Sequence, residues 1–307
     1  MDDERPSPSI SSVRPPDMLR AMKNAEAHCP QIAIVGAGKL GAALAISLRG
    51  AGYSISEIVS RDGEGSRRRA KALARRAGTV AATLRKAALR ADLVWFCVPD
   101  GEIEKCARLL AARDWKGKIA VHSSGAMTSD ELSVLRKRGA HVASVHPMMT
   151  FVEGVTPALK GVGFAIEGDR EAAQTISKIV RRLGGESFPI AAKDKALYHA
   201  WGTFLSPLLT ALLAAGEEVA KGAAVPANRS RRWMLPIVRQ TVENYAKQGG
   251  ARGFSGPIVR GDAATIKKHL EVLRKLPLAR DVYVTLARSA MRTLPTRHAK
   301  ELKALLG

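Results

Sequence analysis

The stretch Gln31-Ile-Ala-Ile-Val-Gly-Ala-Gly-Lys-Leu-Gly-Ala-Ala-Leu-Ala45 decides the fold, because a short apolar run passes through three glycines into an alanine-rich helical pattern. Gly36 permits a tight turn out of a strand, Gly38 lets the backbone approach a diphosphate, and Gly41 lets the helix pack closely on the sheet. A helix N-terminus favours an anion through its unpaired N–H groups and its dipole. This order predicts a dinucleotide site formed by Gly36, Ala37, Gly38, Lys39, Leu40 and Gly41.

The end of the next strand-like run indicates which dinucleotide binds. Folds that prefer NAD place an acidic residue there, on the ribose 2′-hydroxyl. This chain has Ser60 and Arg61 instead, and a hydroxyl beside a guanidinium suits a 2′-phosphate. The arginines at 67–69 add positive potential. We therefore predict NADP; NAD is the alternative if Asp62 takes the acidic role or if the arginines form only a solvated helix face.

The charge of the chain raises the question of a nucleic-acid partner. The 307 residues include 49 Lys and Arg against 28 Asp and Glu, a formal net charge of +21 at pH 7. A field of this sign attracts phosphate backbones. The basic residues are nevertheless dispersed along amphipathic helices, and no nucleic-acid-binding motif is present. We therefore do not favour nucleic acid as a partner, since an acidic substrate explains the charge as well.

The N-terminal segment and the cysteines bear on where the protein works. Residues 1–29 lack apolar periodicity, which predicts a disordered tail without a signal peptide. The longest apolar stretch, Phe204 to Gly216, is too short to cross a bilayer, so we expect no membrane segment. Cys29, Cys97 and Cys106 form no metal-binding or redox motif. We therefore expect no metal and a cytoplasmic location.

The rhythm of apolar runs predicts two folded domains. Within 30–190, short apolar runs alternate with helical patterns, which is typical of an α/β, Rossmann-type, doubly wound and mainly parallel sheet. Strands are predicted at 31–36, 54–60, 92–98, 118–122, 141–146, 162–167 and 186–190. From 191 to 307, apolar residues recur at helical spacing and predict an all-helical domain for substrate binding and dimerisation. Pro207 should kink its first helix.

Polar residues follow several of these strands at the edge where ligands bind in parallel sheets. The predicted cofactor contacts there are Val98, Pro99, Asp100 and Ser123. Ser124 could orient a reacting oxygen, or it could belong to a turn held by local hydrogen bonds. His146 ends the 141–146 strand, where a neutral imidazole could accept or donate a proton. It could instead satisfy a backbone carbonyl.

The helical domain contributes further candidates. Lys195 and His199 are four residues apart and share a helix face, with Ser206 near it; this face could look into a cleft or be a solvated edge. Tyr198 is expected in the core or at an interface. Arg260 could clamp an anionic group of a substrate. Asp262 is better placed to cap the helix that starts at residue 263.

These motifs resemble those of a bacterial family that combines a Rossmann-like domain with a domain of unknown function 2520. The resemblance runs from about Gln31 to Leu294 and includes His146-Pro-Met-Met-Thr-Phe151 and Gly256-Pro-Ile-Val-Arg-Gly-Asp262. It implies an NADP oxidoreductase similar in architecture to β-hydroxyacid dehydrogenases. In those enzymes a catalytic lysine is followed four residues later by asparagine, where this chain has His199 after Lys195. The His146 segment is also similar to the histidine motif of prephenate dehydrogenases.

Taken together, the sequence predicts an oxidoreductase that moves a hydride between NADP and a small carbonyl, alcohol or imine in an interdomain cleft. The catalytic candidates are His146, His199, Lys195 and Ser124, with Arg260 and Ser206 on an anionic small-molecule substrate. The apolar helical domain predicts a homodimer. The alternatives are an NADP sensor without catalysis, a prephenate-dehydrogenase-like enzyme and a deazaflavin-linked NADP oxidoreductase.

Overall fold

The computed structural model describes residues 29–307 and divides them into two compact units. The first unit ends at Ala200, and the second runs from Trp201 to Gly307. Apart from Cys29, the predicted tail lies outside the described residues. The elements of the first unit are β1 (Ile32–Val35), α1 (Lys39–Gly50), β2 (Ile55–Ser60), α2 (Glu64–Ala77), β3 (Val80–Thr83), β4 (Leu93–Phe96), α3 (Asp100–Leu110), β5 (Ile119–His122), α4 (Ser133–Arg136), β6 (His141–Pro147), β7 (Gly163–Gly168), α5 (Arg170–Arg182), β8 (Glu186–Pro189) and the start of α6 (Lys195–Leu205).

The strands form one sheet in the order β3-β2-β1-β4-β5-β6-β7-β8. Neighbouring strands pair in parallel except β6 and β7, which are antiparallel. The predicted doubly wound, mainly parallel sheet is therefore confirmed. All seven predicted strands are present, and β3 is an eighth that the sequence did not reveal. Its residues Val80–Thr83 form an edge strand in which Val80 is 66% exposed, and its two alanines suit a helix as well as a strand.

The core lies on both faces of this sheet, because successive side chains of a strand point to opposite sides. Ile32 and Ile34 of β1 belong to a buried cluster with residues of α1, α2 and α5. Ala33 and Val35 belong to a second cluster with residues of α3 and α4. Helices thus cover the sheet on both sides, and its polar loops collect at the strand ends.

The second unit is helical, as predicted. Its elements are the end of α6, α7 (Pro207–Gly222), α8 (Ala227–Gly253), α9 (Pro257–Arg260), α10 (Ala263–Val272), α11 (Pro277–Thr293) and α12 (Ala299–Leu306). The predicted kink at Pro207 is a full break, since α6 ends at Leu205 and Pro207 opens the next helix. Within α8, Gly249 has φ 72° and interrupts the helical geometry. Asp262 accepts a hydrogen bond from the Thr265 amide at 3.0 Å and caps α10, as expected.

One described stretch, Ala192–Gly222, is long and apolar enough to cross a membrane by length and composition alone. The break at Ser206 divides it into two helices. In α7, no residue is buried within the chain. An exposed apolar helix also suits packing against another protein surface. The length and composition of Ala192–Gly222 are therefore weak evidence for a membrane span.

Candidate functional site

The glycine loop after β1 has the geometry that its sequence predicts. Gly36 has φ 111°, and a Cβ there would collide with the carbonyl oxygen of Cys97. A Cβ on Gly41 would collide with the carbonyl oxygen of Gly36, so only glycine allows this approach of helix to strand. A Cβ on Gly38 would meet no atom within 4 Å. The loop is therefore packed tightly on its inner side and open at the N-terminus of α1.

A cavity of about 190 Å³ lies beside this loop. Its lining joins three of the predicted regions, namely the glycine loop, the end of β2 and the loop after β4. The lining residues are Val35, Gly36, Ala37, Gly38, Val59, Ser60, Arg61, Ser66, Arg69, Leu84, Cys97, Val98, Pro99 and Cys106. Open space at Gly38 and two arginines in the lining suit a diphosphate and a further phosphate, so the chemistry of the cavity fits the phosphate groups of a dinucleotide.

The end of β2 distinguishes the residues that could recognise a ribose. Arg61 and Arg69 both line the cavity. Asp62, the acidic alternative, lies 3.4 Å from the Arg85 guanidinium in an exposed ion pair. The Ser60 hydroxyl donates to the carbonyl oxygen of Arg61 at 3.1 Å. Arg61 and Arg69 are therefore at the cavity, whereas the Asp62 carboxylate already has a cationic partner.

Other predicted cofactor residues lie beside this cavity without lining it. Lys39 lines an adjoining depression between α1, α2 and residues 152–156, which shares Ala37, Gly38 and Arg69 with the cavity. The Ser123 hydroxyl accepts a hydrogen bond from Trp95 Nε1 at 2.8 Å, which makes it a partner of the core indole. Asp100 accepts a hydrogen bond from the Ser124 hydroxyl at 2.9 Å. Leu40 and Gly41 serve the packing of α1 on the sheet. Direct contacts of these residues with a cofactor stay predictions.

The turn after β5 is held by local hydrogen bonds, which was the alternative interpretation of its sequence. Ser124 Oγ donates to Asp100 and accepts from the amides of Ala126 and Met127 at 3.3 and 2.9 Å. His122 Nε2 lies 2.8 Å from the Thr128 carbonyl oxygen, and His122 Nδ1 accepts from the Ser124 amide at 3.1 Å. Because these bonds occupy Ser124 Oγ, its predicted role of orienting a reacting oxygen would require one of them to be replaced.

His146 and His199 meet at the carboxyl end of β6. Their ring centroids are 5.7 Å apart and the rings are perpendicular. Gly125 lies against both rings, since a Cβ there would be 2.5 Å from His199 Cδ2 and 3.0 Å from His146 Cδ2 and Nε2. Burial, together with the neighbouring His199 and Lys195, lowers the pKa of His146 to about 4, although Asp100 opposes the shift. His146 is therefore neutral near pH 7 and can accept a proton.

Lys195 is the buried cation of this group. Its side chain is 0% exposed, and Nζ donates to Ser144 Oγ at 2.7 Å and to the Ser124 carbonyl oxygen at 3.3 Å. Burial lowers the Lys195 pKa, although Glu167 and Asp100 favour its charged form. The predicted pairing of Lys195 and His199 on one helix face thus brings an ammonium and an imidazole to the same strand ends.

Two residues of this cluster were missed by the sequence analysis. Tyr198 is buried as expected, but its hydroxyl also lies 2.9 Å from His146 Nδ1. The Ser144 hydroxyl accepts a hydrogen bond from the Lys195 ammonium. Strand periodicity could have indicated Ser144, because Ser144 and His146 are two residues apart on β6 and so point to the same face of the sheet.

Some predicted features lie elsewhere or have no counterpart among the described residues. Ser206 and Arg260 belong to the second unit, where Arg260 is exposed, and their substrate contacts stay predictions. No group of three or more metal-ligating side chains occurs within residues 29–307. The three cysteines are free thiols, and burial raises the pKa of the Cys106 thiol to about 11. Cys106 is therefore a weak nucleophile.

Comparison with protein families identifies both parts of the chain. A Rossmann-like domain model matches residues 16–147, and the model for the domain of unknown function DUF2520 matches residues 162–290. The chain joins a Rossmann-like domain to a DUF2520 domain. The change of models between 147 and 162 falls between β6 and β7, where the sheet turns antiparallel. The boundary predicted after residue 190 stays a prediction, because compactness divides the chain after Ala200.

Solved structures with the same Rossmann-like and helical fold extend over most of the chain. A protein from Bacteroides fragilis, described as a candidate NADP oxidoreductase, is 23% identical with a TM-score of 0.72 and covers 85% of this chain and 97% of its own. An imine reductase from Pseudomonas sp. is 20% identical with a TM-score of 0.61, covering 90% and 99%. A reductive aminase from Aspergillus terreus, solved with NADPH, is 14% identical with a TM-score of 0.62 and the same coverage. No curated protein matches the sequence.

Proposed function

We propose that this protein is an NADP-dependent oxidoreductase that transfers a hydride between nicotinamide and a small carbonyl, alcohol or imine. The observation that carries the proposal is that the glycine-loop cavity and the paired rings of His146 and His199 both lie at strand ends of one sheet. The fold shared with an NADPH-bound reductive aminase and with an imine reductase supports the same class of reaction. A dinucleotide bound at the glycine loop would supply or accept the hydride through its nicotinamide.

Different residues would bind the cofactor and transfer the proton. The open N-terminus of α1 at Gly38 would hold the diphosphate, and Arg61 and Arg69 the 2′-phosphate. His146 would accept the proton of an alcohol during oxidation, because it is neutral near pH 7. Lys195 would favour negative charge that develops on a substrate oxygen nearby. An anionic small molecule also suits the positive charge of the chain.

Cofactor choice can be tested by calorimetry with NADPH and NADH. Removing one charge-assisted bond costs roughly 1.5–3 kcal/mol, so R61A and R69A should weaken NADPH binding about tenfold or more and change NADH binding little. R75A is the matched control, because it removes the same charge from α2 at a residue outside the cavity lining. Equal losses for both cofactors, or tighter binding of NADH by the unaltered protein, would refute the NADP assignment.

Catalysis can be tested by following NADPH absorbance with a panel of carbonyls, imines and oxidised deazaflavins. We expect turnover with one class and a loss of about 100-fold or more in H146Q, because general acid–base catalysis contributes factors of this size. Unchanged NADPH affinity in H146Q would separate chemistry from binding. NADPH binding without turnover on any of the three classes would favour a cofactor sensor instead.

We also propose that the protein is a homodimer that uses its second unit. Large apolar residues on α8 are exposed within the chain, with Trp233 52%, Ile237 68% and Tyr245 67% exposed. Monomeric proteins rarely expose such residues in groups. A second copy of the chain offers the same apolar surface, so a symmetric pairing would cover both.

A further inference from the structure

The Tyr198 hydroxyl contacts two different atoms of His146. Its oxygen lies 2.9 Å from the ring nitrogen Nδ1 and 3.4 Å from the backbone carbonyl oxygen of the same residue. The first distance is that of an ordinary hydrogen bond, and the second is at the long limit for an O–H···O hydrogen bond. The tyrosine thus joins the ring of His146 to the strand that carries it.

Both aromatic and polar contacts hold Tyr198 in this position. Its ring packs edge-on against Phe188 of β8, with centroids 6.0 Å apart, and against His146, with centroids 5.5 Å apart. Three residues earlier on α6, Lys195 is bonded to Ser144 of β6. The bonds from Lys195 to Ser144 and from Tyr198 to His146 therefore hold α6 against two residues of β6 that point to the same face. As a result, the Tyr198 hydroxyl has little freedom to leave His146 Nδ1.

Counting protons shows which arrangement uses both contacts. A phenol has one proton, a neutral imidazole has one N–H, and a carbonyl oxygen only accepts. If Tyr198 donates to the carbonyl, its oxygen is left to accept from Nδ1–H, and both bonds form. If Tyr198 donates to Nδ1, the carbonyl contact has no proton. Only the first arrangement satisfies both distances, and it leaves the lone pair of His146 on Nε2.

We propose that Tyr198 is a positioning residue that holds His146 as its Nδ1–H tautomer, so that Nε2, next to Gly125, is the atom that accepts the substrate proton. The catalytic consequence rests on the proposed oxidoreductase function, whereas the tautomer does not. During oxidation of an alcohol, the substrate O–H bond would break as an N–H bond forms at Nε2, the C–O bond would become a double bond, and the bound oxidised nicotinamide would take up the hydride from the broken C–H bond. The ring becomes an imidazolium whose Nδ1–H bond to Tyr198 is unchanged.

The tautomer can be observed directly by NMR of the full-length protein labelled with ¹⁵N-histidine near neutral pH. H146Q assigns the signals. We expect a neutral His146 with a protonated Nδ1 and an unprotonated Nε2 in the unaltered protein. In Y198F the Nδ1–H loses its acceptor, and we expect the signals to move toward the Nε2–H form. A protonated Nε2 in the unaltered protein would overturn the proposal, whether or not Y198F folds.

A second tyrosine–histidine pair provides the matched control. Tyr283 Oη lies 3.2 Å from His269 Nδ1 in the second unit, so Y283F removes a similar hydroxyl away from His146. It should change the His269 signals and leave those of His146 in place. His146 signals that are the same in folded Y198F and in the unaltered protein would contradict the positioning role.

Kinetics then connects the tautomer to turnover. We expect Y198F to lower kcat about tenfold with little change in KM, since general-base efficiency depends on the proton-accepting atom. Y283F should retain kcat. Equal kcat in Y198F and the unaltered enzyme would remove the catalytic consequence. Absence of turnover in the unaltered protein would count against the oxidoreductase function alone, because the NMR result stands without it.

Discussion

At the scale of residues, two histidines at neighbouring strand ends have the same low pKa and different surroundings. His122 is 0% exposed and uses both ring nitrogens on backbone groups of its own turn. His146 uses Nδ1 on a tyrosine and turns Nε2 toward Gly125. The sequence could place both histidines at strand ends from periodicity alone. It could not predict the Tyr198 contact, because that bond joins residues 52 positions apart and depends on how α6 returns to the sheet.

Gly125 provides a test of the paired rings. In G125A the new methyl group would lie 2.5 Å from His199 and 3.0 Å from His146, so at least one ring must move. We expect turnover to fall about tenfold or more, because small displacements of catalytic groups have effects of this size. NADPH affinity should change little, since Gly125 is outside the cavity lining.

The control for this substitution is G50A. Gly50 ends α1 and has no atom within 4 Å of the Cβ position, so alanine fits there without displacing a neighbour. We expect activity to be retained. Full activity in G125A, measured beside G50A with a shared substrate, would show that the two rings need not stay in place.

At the scale of elements, the sequence predicted every strand of the sheet except β3, which lies at one edge, whereas β8 at the other edge was predicted. A central strand such as β4 is buried on both faces, so its residues are uniformly apolar. The edge strand β3 needs no such run, and its alanines are equally suited to a helix. The glycine loop was predictable in full, because its constraints are local to the turn between β1 and α1.

Two substitutions in this loop should separate folding from binding. G41A places a methyl group against the Gly36 carbonyl and should lower the melting temperature by several degrees, the effect of about 1–3 kcal/mol of overpacking. G38A meets no atom within 4 Å, so its melting temperature should be retained. Its methyl group would instead occupy space proposed for the diphosphate and weaken NADPH binding about tenfold or more.

Thermal melts and calorimetry on the two variants check this pair of outcomes. Retained NADPH affinity in G38A would place the diphosphate elsewhere. An unchanged melting temperature in G41A would mean that α1 can move away from the sheet without cost.

At the scale of the whole molecule, the buried histidines link stability to pH. Burial lowers the pKa values of His122 and His146 from 6.5 to about 4. As pH falls from 6.5 toward 4, the unfolded chain binds protons on these rings that the folded chain does not, so stability decreases over this window. For the fully buried His122, the loss reaches roughly 3 kcal/mol near the lower end.

Urea denaturation between pH 7 and pH 4 measures this dependence. Carboxylates also titrate in this range, so the informative quantity is the difference between the unaltered protein and H146Q. We expect H146Q to lose less stability on acidification, by up to about 1.4 kcal/mol per pH unit, the value for one proton. Parallel curves would mean that His146 titrates alike in both states.

The proposed homodimer is also a prediction about the whole molecule. We expect sedimentation of the unaltered protein to give a dimer at micromolar concentration, and I237E to shift it toward monomer by placing a charge on the apolar surface of α8. R239A is the control, because it lies about 200° away around the same helix. A monomeric unaltered protein would refute the dimer.

The reversal of chain direction after β6 determines where the polypeptide leaves the sheet. Both β7 and β8 run opposite to β6, and Pro189 at the end of β8 pairs with Ile166 of β7, which in turn pairs with Val145 of β6. The chain therefore leaves its last strand level with the residue that precedes His146. The helix that follows then contacts Ser144 through Lys195 and His146 through Tyr198. The two reversed strands thus bring a distant piece of sequence to the proposed reacting groups.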